Sequence, residues 1–170
     1  MQTSHLRLDQ YHLDELHFSL DEKYEYKGMD KEPRLSAEDL DIEVRPFRNP
    51  ENRLEWYFQL GVRLDDKEGK FPYVFSIRLT GFFEVSEDCK PDMTTSLALI
   101  NAPSILYASA REILATVSAR SRYLSIFLPS VRFFGSPPAK AVESSTSRAL
   151  AEGSAASKPA KAKKPIARKK

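Results

Sequence analysis

The chain has 170 residues and a net charge of +2, with 41% hydrophobic residues and 11% aromatics, which is enough for one ordinary domain and a surplus. That near-neutral total hides a division: residues 135–170 carry nine Lys/Arg, two Asp/Glu and no aromatic, whereas residues 1–134 carry 17 basic and 22 acidic side chains and all 18 aromatics. The lone Cys89 excludes an intrachain disulfide and a Cys-rich zinc site, no run approaches about 18 apolar residues, and Met1-Gln2-Thr3-Ser4-His5 opens no secretion signal, so the expectation is a soluble, cytoplasmic protein with no membrane span.

The first element in chain order is a strand over residues 5–20. Leu6 and Leu8 share parity with Leu16, Phe18 and Leu20, but Tyr11 and Leu13 fall on the other parity, so a bulge or bend is expected near residues 10–14. A loop containing Gly28 and Pro33 leads to a short strand at residues 40–44, which Pro46 and Pro50 are expected to end.

Residues 54–64 give the clearest signal. Leu54, Trp56, Phe58, Leu60, Val62 and Leu64 alternate with Glu55, Gln59 and Arg63, the mark of a strand with one buried face. The polar run 65–70, which holds Gly69, reads as a hairpin loop. Alternation then resumes at Phe71, Tyr73, Phe75, Ile77, Leu79, Gly81, Phe83 and Val85, giving an antiparallel partner.

The helix comes last. Asn101-Ala102-Pro103 is a start signal, since proline suits the first turn. Leu106, Ala110, Ile113, Leu114, Val117 and Leu124 form its apolar stripe, and Pro129 halts any continuation. Beyond Gly135, Pro137 and Pro138 the chain is mostly Ala, Ser, Lys and Pro, too poor in apolar area to offset its ordering entropy, so disorder is expected. The reading is therefore α+β: a four-stranded antiparallel sheet covered on one face by a long helix over residues 1–134, then a disordered basic tail over 135–170.

Chemistry is hard to find. His5 and His17 on one strand would stand roughly 40 Å apart at about 3.3 Å per residue, whereas metal ligands must meet around one ion. Cys89 lies in the acidic run Glu87-Asp88-Cys89-Lys90, which gives no reason for an activated thiolate. Gly69-Lys70 lacks the rest of a phosphate-binding loop. No catalytic residue, metal or cofactor is nominated, and the expectation is a protein that is not an enzyme. The basic tail has charge enough to contact nucleic acid or other anionic surfaces, but it lacks aromatics for base stacking. Tyr57, Val74 and Phe82 have the parity that faces away from the helix, and exposed apolar surface of that kind suggests binding.

The segment Asn101-Ala102-Pro103-Ser104-Ile105-Leu106-Tyr107-Ala108-Ser109-Ala110-Arg111-Glu112 resembles the start of the main helix in SecB, the bacterial export chaperone. The likeness runs on through Val117-Ser118 and Arg120 to Leu128-Pro129, Val131 and Phe133. Upstream, Gly81-Phe82-Phe83-Glu84-Val85 resembles the end of that family's fourth strand and Glu15-Leu16-His17-Phe18 the middle of its first. The resemblance covers residues 5–134 and implies the same sheet-and-helix fold. It also implies an ATP-independent holding chaperone that binds unfolded polypeptides in apolar grooves, either for protein export and transport or to protect a dedicated client such as an antitoxin of a toxin–antitoxin pair. The implied assembly is a homotetramer, a dimer of dimers, for which Ala108, Ala115 and Ala119, flanked by Ile105 and Tyr123, offer a second helix face.

Client binding is expected in a groove between the helix start and the loop after strand one, lined by Tyr24, Tyr26, Met29, Leu35, Phe47, Leu106 and Tyr107. Parity puts Glu15, His17, Ser19, Tyr57, Val74, Ser76 and Arg78 on the outer sheet face. The resemblance implies that SecA, the translocase, docks there through Glu15, Ser19, Val74 and Ser76. Ser19 and Ser76 stand where acidic residues are expected and Arg78 adds positive charge, so weak, salt-sensitive docking is the expectation. The alternative from another class is an adaptor or nucleic-acid-associated protein that works through its tail.

Overall fold

One-sided burial organises the chain. In β3 (Glu55–Leu64), Trp56, Phe58, Leu60, Val62 and Leu64 are buried while the residues between them are exposed or half-buried. In β4 (Tyr73–Val85), all seven odd-numbered positions are buried. The two strands pair antiparallel, Leu60 opposite Leu79 and Val62 opposite Ile77. A computed structural model describes residues 3–26, 34–123 and 125–134. With β1 (Leu6–Leu20) and β2 (Asp41–Arg48) these strands form one antiparallel sheet in the order β1-β4-β3-β2. The hairpin between β3 and β4 turns where expected: Gly69 takes a left-handed φ of 69°, and the Asp66 carboxylate accepts the N–H groups of Glu68 and Phe71.

The irregularity expected in the first strand is two bulges. Leu8 pairs with Phe83 and Gln10 with Phe82, so Asp9 is extra; Leu13 pairs with Leu79 and Glu15 with Arg78, so Asp14 is extra. Each insertion flips the parity. Leu6, Leu8, Tyr11, Leu13, Leu16, Phe18 and Leu20 therefore all stand opposite buried-parity residues of β4, on one face.

Boundaries differ from the sequence reading at the end of the second strand and at both ends of the helix. The second strand does not stop at Pro46 but runs to Arg48, because β2 is an edge strand and proline there breaks no outer ladder. The helix does not start at residues 101–103. It is α1 (Pro91–Ser118), with Pro91 in the first turn and Pro103 buried in its interior. Pro103 removes one backbone donor from the helix, yet burial of its ring and of the flanking residues against the sheet holds the helix together.

α1 presents Ala98, Ala102, Leu106, Ala110 and Leu114, all fully buried, to the sheet. Ile113 and Val117 of the expected stripe are half-buried, and Leu124 and the tail after residue 134 lie outside the described residues. The approach is close. A Cβ placed on Gly81 in β4 would meet Leu106 Cδ2 at 2.7 Å and Phe83 Cε2 at 2.8 Å, so the missing side chain makes room for the helix. Among the described residues no helix is long and apolar enough to cross a membrane.

Candidate functional site

The helix ends at Ser118, and the chain turns rather than continuing. Ser118 Oγ donates to the Leu114 carbonyl at 2.7 Å and accepts the Ile126 N–H at 2.8 Å, tying the helix terminus to the segment that follows. Residues 125–134 return along the helix as a strap without regular secondary structure. Ile126 and Leu128 are buried, Val131 and Phe133 pack on the core edge, and Tyr107 Oη donates to the Pro129 carbonyl at 2.8 Å. Burial raises the Tyr107 phenol pKa, against an opposing effect of Arg111, so it remains a donor. The strap leaves Phe127 72% and Phe134 73% exposed.

A tyrosine cluster closes the same end of the molecule. The Tyr123 ring lies 5.4 Å from Tyr24, 5.9 Å from Tyr26 and 5.9 Å from Tyr73, centroid to centroid. Tyr73 Oη shares a 2.6 Å hydrogen bond with Ser121 Oγ, which pins the turn after α1 to the sheet. Tyr26 is the outermost ring and is 54% exposed. Along the neighbouring edge, Tyr11 (41%) and Leu13 (47%) of β1 are exposed on the helix side, where α1 does not cover them.

The residues expected to line one groove fall into three places. Tyr24 and Tyr26 join Tyr123, beyond the helix C-terminus rather than at its start. Leu106 and Tyr107 are buried, the first beneath α1 and the second under the strap, and Leu35 is half-buried against the core. Phe47 is on the opposite face: it pairs with Tyr57 and stacks on that ring at 4.4 Å, because β2 follows the parity of its partner. Met29 lies outside the described residues. The sequence reading carries the helix to Leu124 and so places Tyr123 on its surface, which misses the part of Tyr123 in this cluster; the Arg120-Ser121-Arg122 run and the polar turn there are the available signal.

On the outer face, Ser19 pairs with Val74, His17 with Ser76 and Glu15 with Arg78, so the four expected docking residues do share one patch. Its charges are internally matched: Arg78 meets Glu15 at 3.1 Å and Arg45 meets Glu43 at 2.7 Å. These rim a depression of about 260 Å³ over Gly61. Phe47, Tyr57, Phe82 and His12 form an aromatic row beside it. Among the described residues no group of three or more His, Cys, Asp or Glu could hold a metal ion.

Known proteins are similar to this chain in fold and in sequence. The Rv1957 SecB-like chaperone of Mycobacterium tuberculosis, solved in complex with a ChAD peptide from the Rv1956 HigA1 antitoxin, superposes with a TM-score of 0.50 at 13% identity, covering 74% of this chain and 90% of that one. A protein of unknown function from Streptococcus agalactiae gives 0.41 at 10% identity over 74% and 97% of the two chains. In sequence, the uncharacterized protein MJ0357 of Methanocaldococcus jannaschii is 27% identical over 130 residues, 76% of this chain and 81% of its own length. Residues 2–135 match the model of the family described as preprotein translocase subunit SecB. The chain belongs to the SecB family.

Proposed function

We propose that the protein is an ATP-independent holding chaperone that binds non-native polypeptides on the apolar surface formed by Tyr26, the strap and the uncovered side of β1. The observation that carries this reading is the exposure of the large apolar side chains Tyr26, Phe127, Phe134, Tyr11 and Leu13. Exposed apolar area of this kind suggests binding, and burial at about 25 cal/mol per Å² is indifferent to client sequence. The likeness to a SecB-like chaperone solved with an antitoxin peptide supports a dedicated client of that kind, and the family description supports a general export clientele. The active form is a tetramer in the cytoplasm, assembled through the helix face that carries Met93, Ile100, Ala108 and Ala119, all exposed in the single chain. Glu15 is already engaged by Arg78, which supports weak SecA docking.

The test uses exposed residues, because Tyr24 and Tyr107 are buried and their loss would disturb the fold. Full-length protein should suppress aggregation of a chemically denatured client without nucleotide. The triple variant Tyr26→Ser, Phe127→Ser, Phe134→Ser should need about tenfold more protein for the same effect, with an unchanged circular dichroism spectrum. Suppression undiminished in the triple variant would place the binding surface elsewhere. Sedimentation should show a species about four times the 19.4 kDa chain mass; a monomer alone at micromolar concentration would remove the tetramer from the proposal.

A further inference from the structure

We infer that the outer face of the sheet docks a second copy of the same face, about a two-fold axis that crosses the strands at Gln59. The inference goes beyond the holding activity and uses the opposite side of the sheet. It starts from Gly61, in the middle of the interior strand β3. The register runs unbroken through it, opposite Glu43 on one side and Arg78 on the other, so no bulge calls for glycine. Its backbone is not left-handed. A Cβ placed there would meet Glu43 Cβ at 3.9 Å, an ordinary contact, whereas one on Gly81 would collide with Leu106. The fold therefore needs glycine at 81 and not at 61. Glycine weakens a strand relative to alanine, and one without an internal cause is a mark of close approach from outside.

The charges say what approaches. The depression of about 260 Å³ over Gly61 is rimmed by Glu15, Asp41 and Glu43 and by Arg45, Arg63 and Arg78. Three acids against three bases select neither an acidic nor a basic partner, but they complement a copy of the same face. Position supplies the rest. Tyr57 and Gly61 lie two residues either side of Gln59, as Phe82 and Arg78 lie either side of its neighbour Thr80. A two-fold axis through Gln59 and Thr80, midway between two facing sheets, sets Tyr57 of each copy over Gly61 of the other. The same rotation sets Arg78 over Phe82, a guanidinium against an aromatic ring. Arg45, paired with Gln59 and so on the axis, meets its own counterpart, each neutralised by Glu43 at 2.7 Å. Four strands about 4.8 Å apart, over the 10 residues of β3 at about 3.3 Å each, make a face of about 600 Å². Two copies then cover about 1,200 Å², the lower end of specific interfaces, which suits a reversible contact.

The test uses the full-length chain with Cys89→Ala, so that Gln59→Cys supplies its one thiol. Facing sheets stand about 10 Å apart, within reach of a short bismaleimide. At high micromolar protein the reagent should give a covalent dimer, twice the 19.4 kDa chain, on a denaturing gel. Arg63→Cys, in the same background, would stand about 26 Å from its counterpart along the strands and should give little dimer. Contacts through the helix face bring neither pair of thiols together, because helix and outer face lie on opposite sides of the sheet. Adding Gly61→Leu, which fills the depression, should cut the Gln59→Cys dimer about tenfold, with a melting curve unchanged or raised. Tyr57→Ser, which removes the ring, should do the same. Little cross-linking through Gln59→Cys would overturn the second copy and leave the face to a foreign partner. As much dimer from Arg63→Cys, or a dimer undiminished by Gly61→Leu or by Tyr57→Ser, would overturn it too, since the thiols would then meet by collision or in another register.

Discussion

Asp39 shows how one side chain fastens two distant parts of the chain. It closes the short 3-10 turn Ala37–Asp39 that leads into β2. One of its oxygens accepts the backbone N–H and hydroxyl of Ser36 at 2.8 and 2.7 Å, and the other accepts Lys70 Nζ at 2.7 Å, from the β3–β4 hairpin. The hydrogen bond from Lys70, followed by those from Ser36, holds the Asp39 carboxyl at a pKa of about 2, below its ordinary 3.8. Because the folded value is depressed, the stabilisation is present above the unfolded pKa and is lost as pH falls through the folded one. The melting temperature of the protein should therefore exceed that of Asp39→Asn by a constant margin from pH 7 to about pH 5, and the margin should shrink between about pH 4 and 2. A margin independent of pH in melting curves would show that the ion contributes through packing alone.

At the level of elements, the strap depends on Ser118. Replacing it with Ala deletes the acceptor of the buried Ile126 N–H, and an orphaned buried donor costs about 1–3 kcal/mol. Denaturant titration of Ser118→Ala should show a loss of that size, with faster hydrogen exchange at residues 125–131. Neither effect would mean that burial of Ile126 and Leu128 suffices to hold the strap. This element was also the least legible from sequence. The strands could be read because alternation reports one-sided burial whatever the partner, and Trp56 through Leu64 are buried and exposed in the expected order. The helix could be detected but not delimited, since proline marks a first turn and tolerates a packed interior alike: Pro91 is the first case and Pro103 the second. Extending the apolar stripe to Leu124 then turned Tyr123 into a helix-surface residue and hid its contacts with Tyr24, Tyr26 and Tyr73. A 3.6-residue period carries no information on where the chain leaves the helix, nor on which rings the following turn brings together.

For the whole chain, the division of charge sets a simple experiment. Removing residues 135–170 changes the net charge from +2 to −5, and residues 2–135 already span the family match. The truncated chain should keep its aggregation suppression within about twofold and lose its retention on a heparin column at low salt. Lost suppression would assign the holding activity to the tail instead. The sheet that remains also has two unusual margins. β2 offers a strand partner the sequence Asp41, Glu43, Arg45 and then Pro46, and β1 breaks step at Asp9 and again at Asp14. Charge, proline and bulges on edge strands are the features that keep natural sheets from growing. A stray strand could not zip along either margin without losing its register, so the molecule can keep company with sticky chains and still be a poor seed for their aggregates.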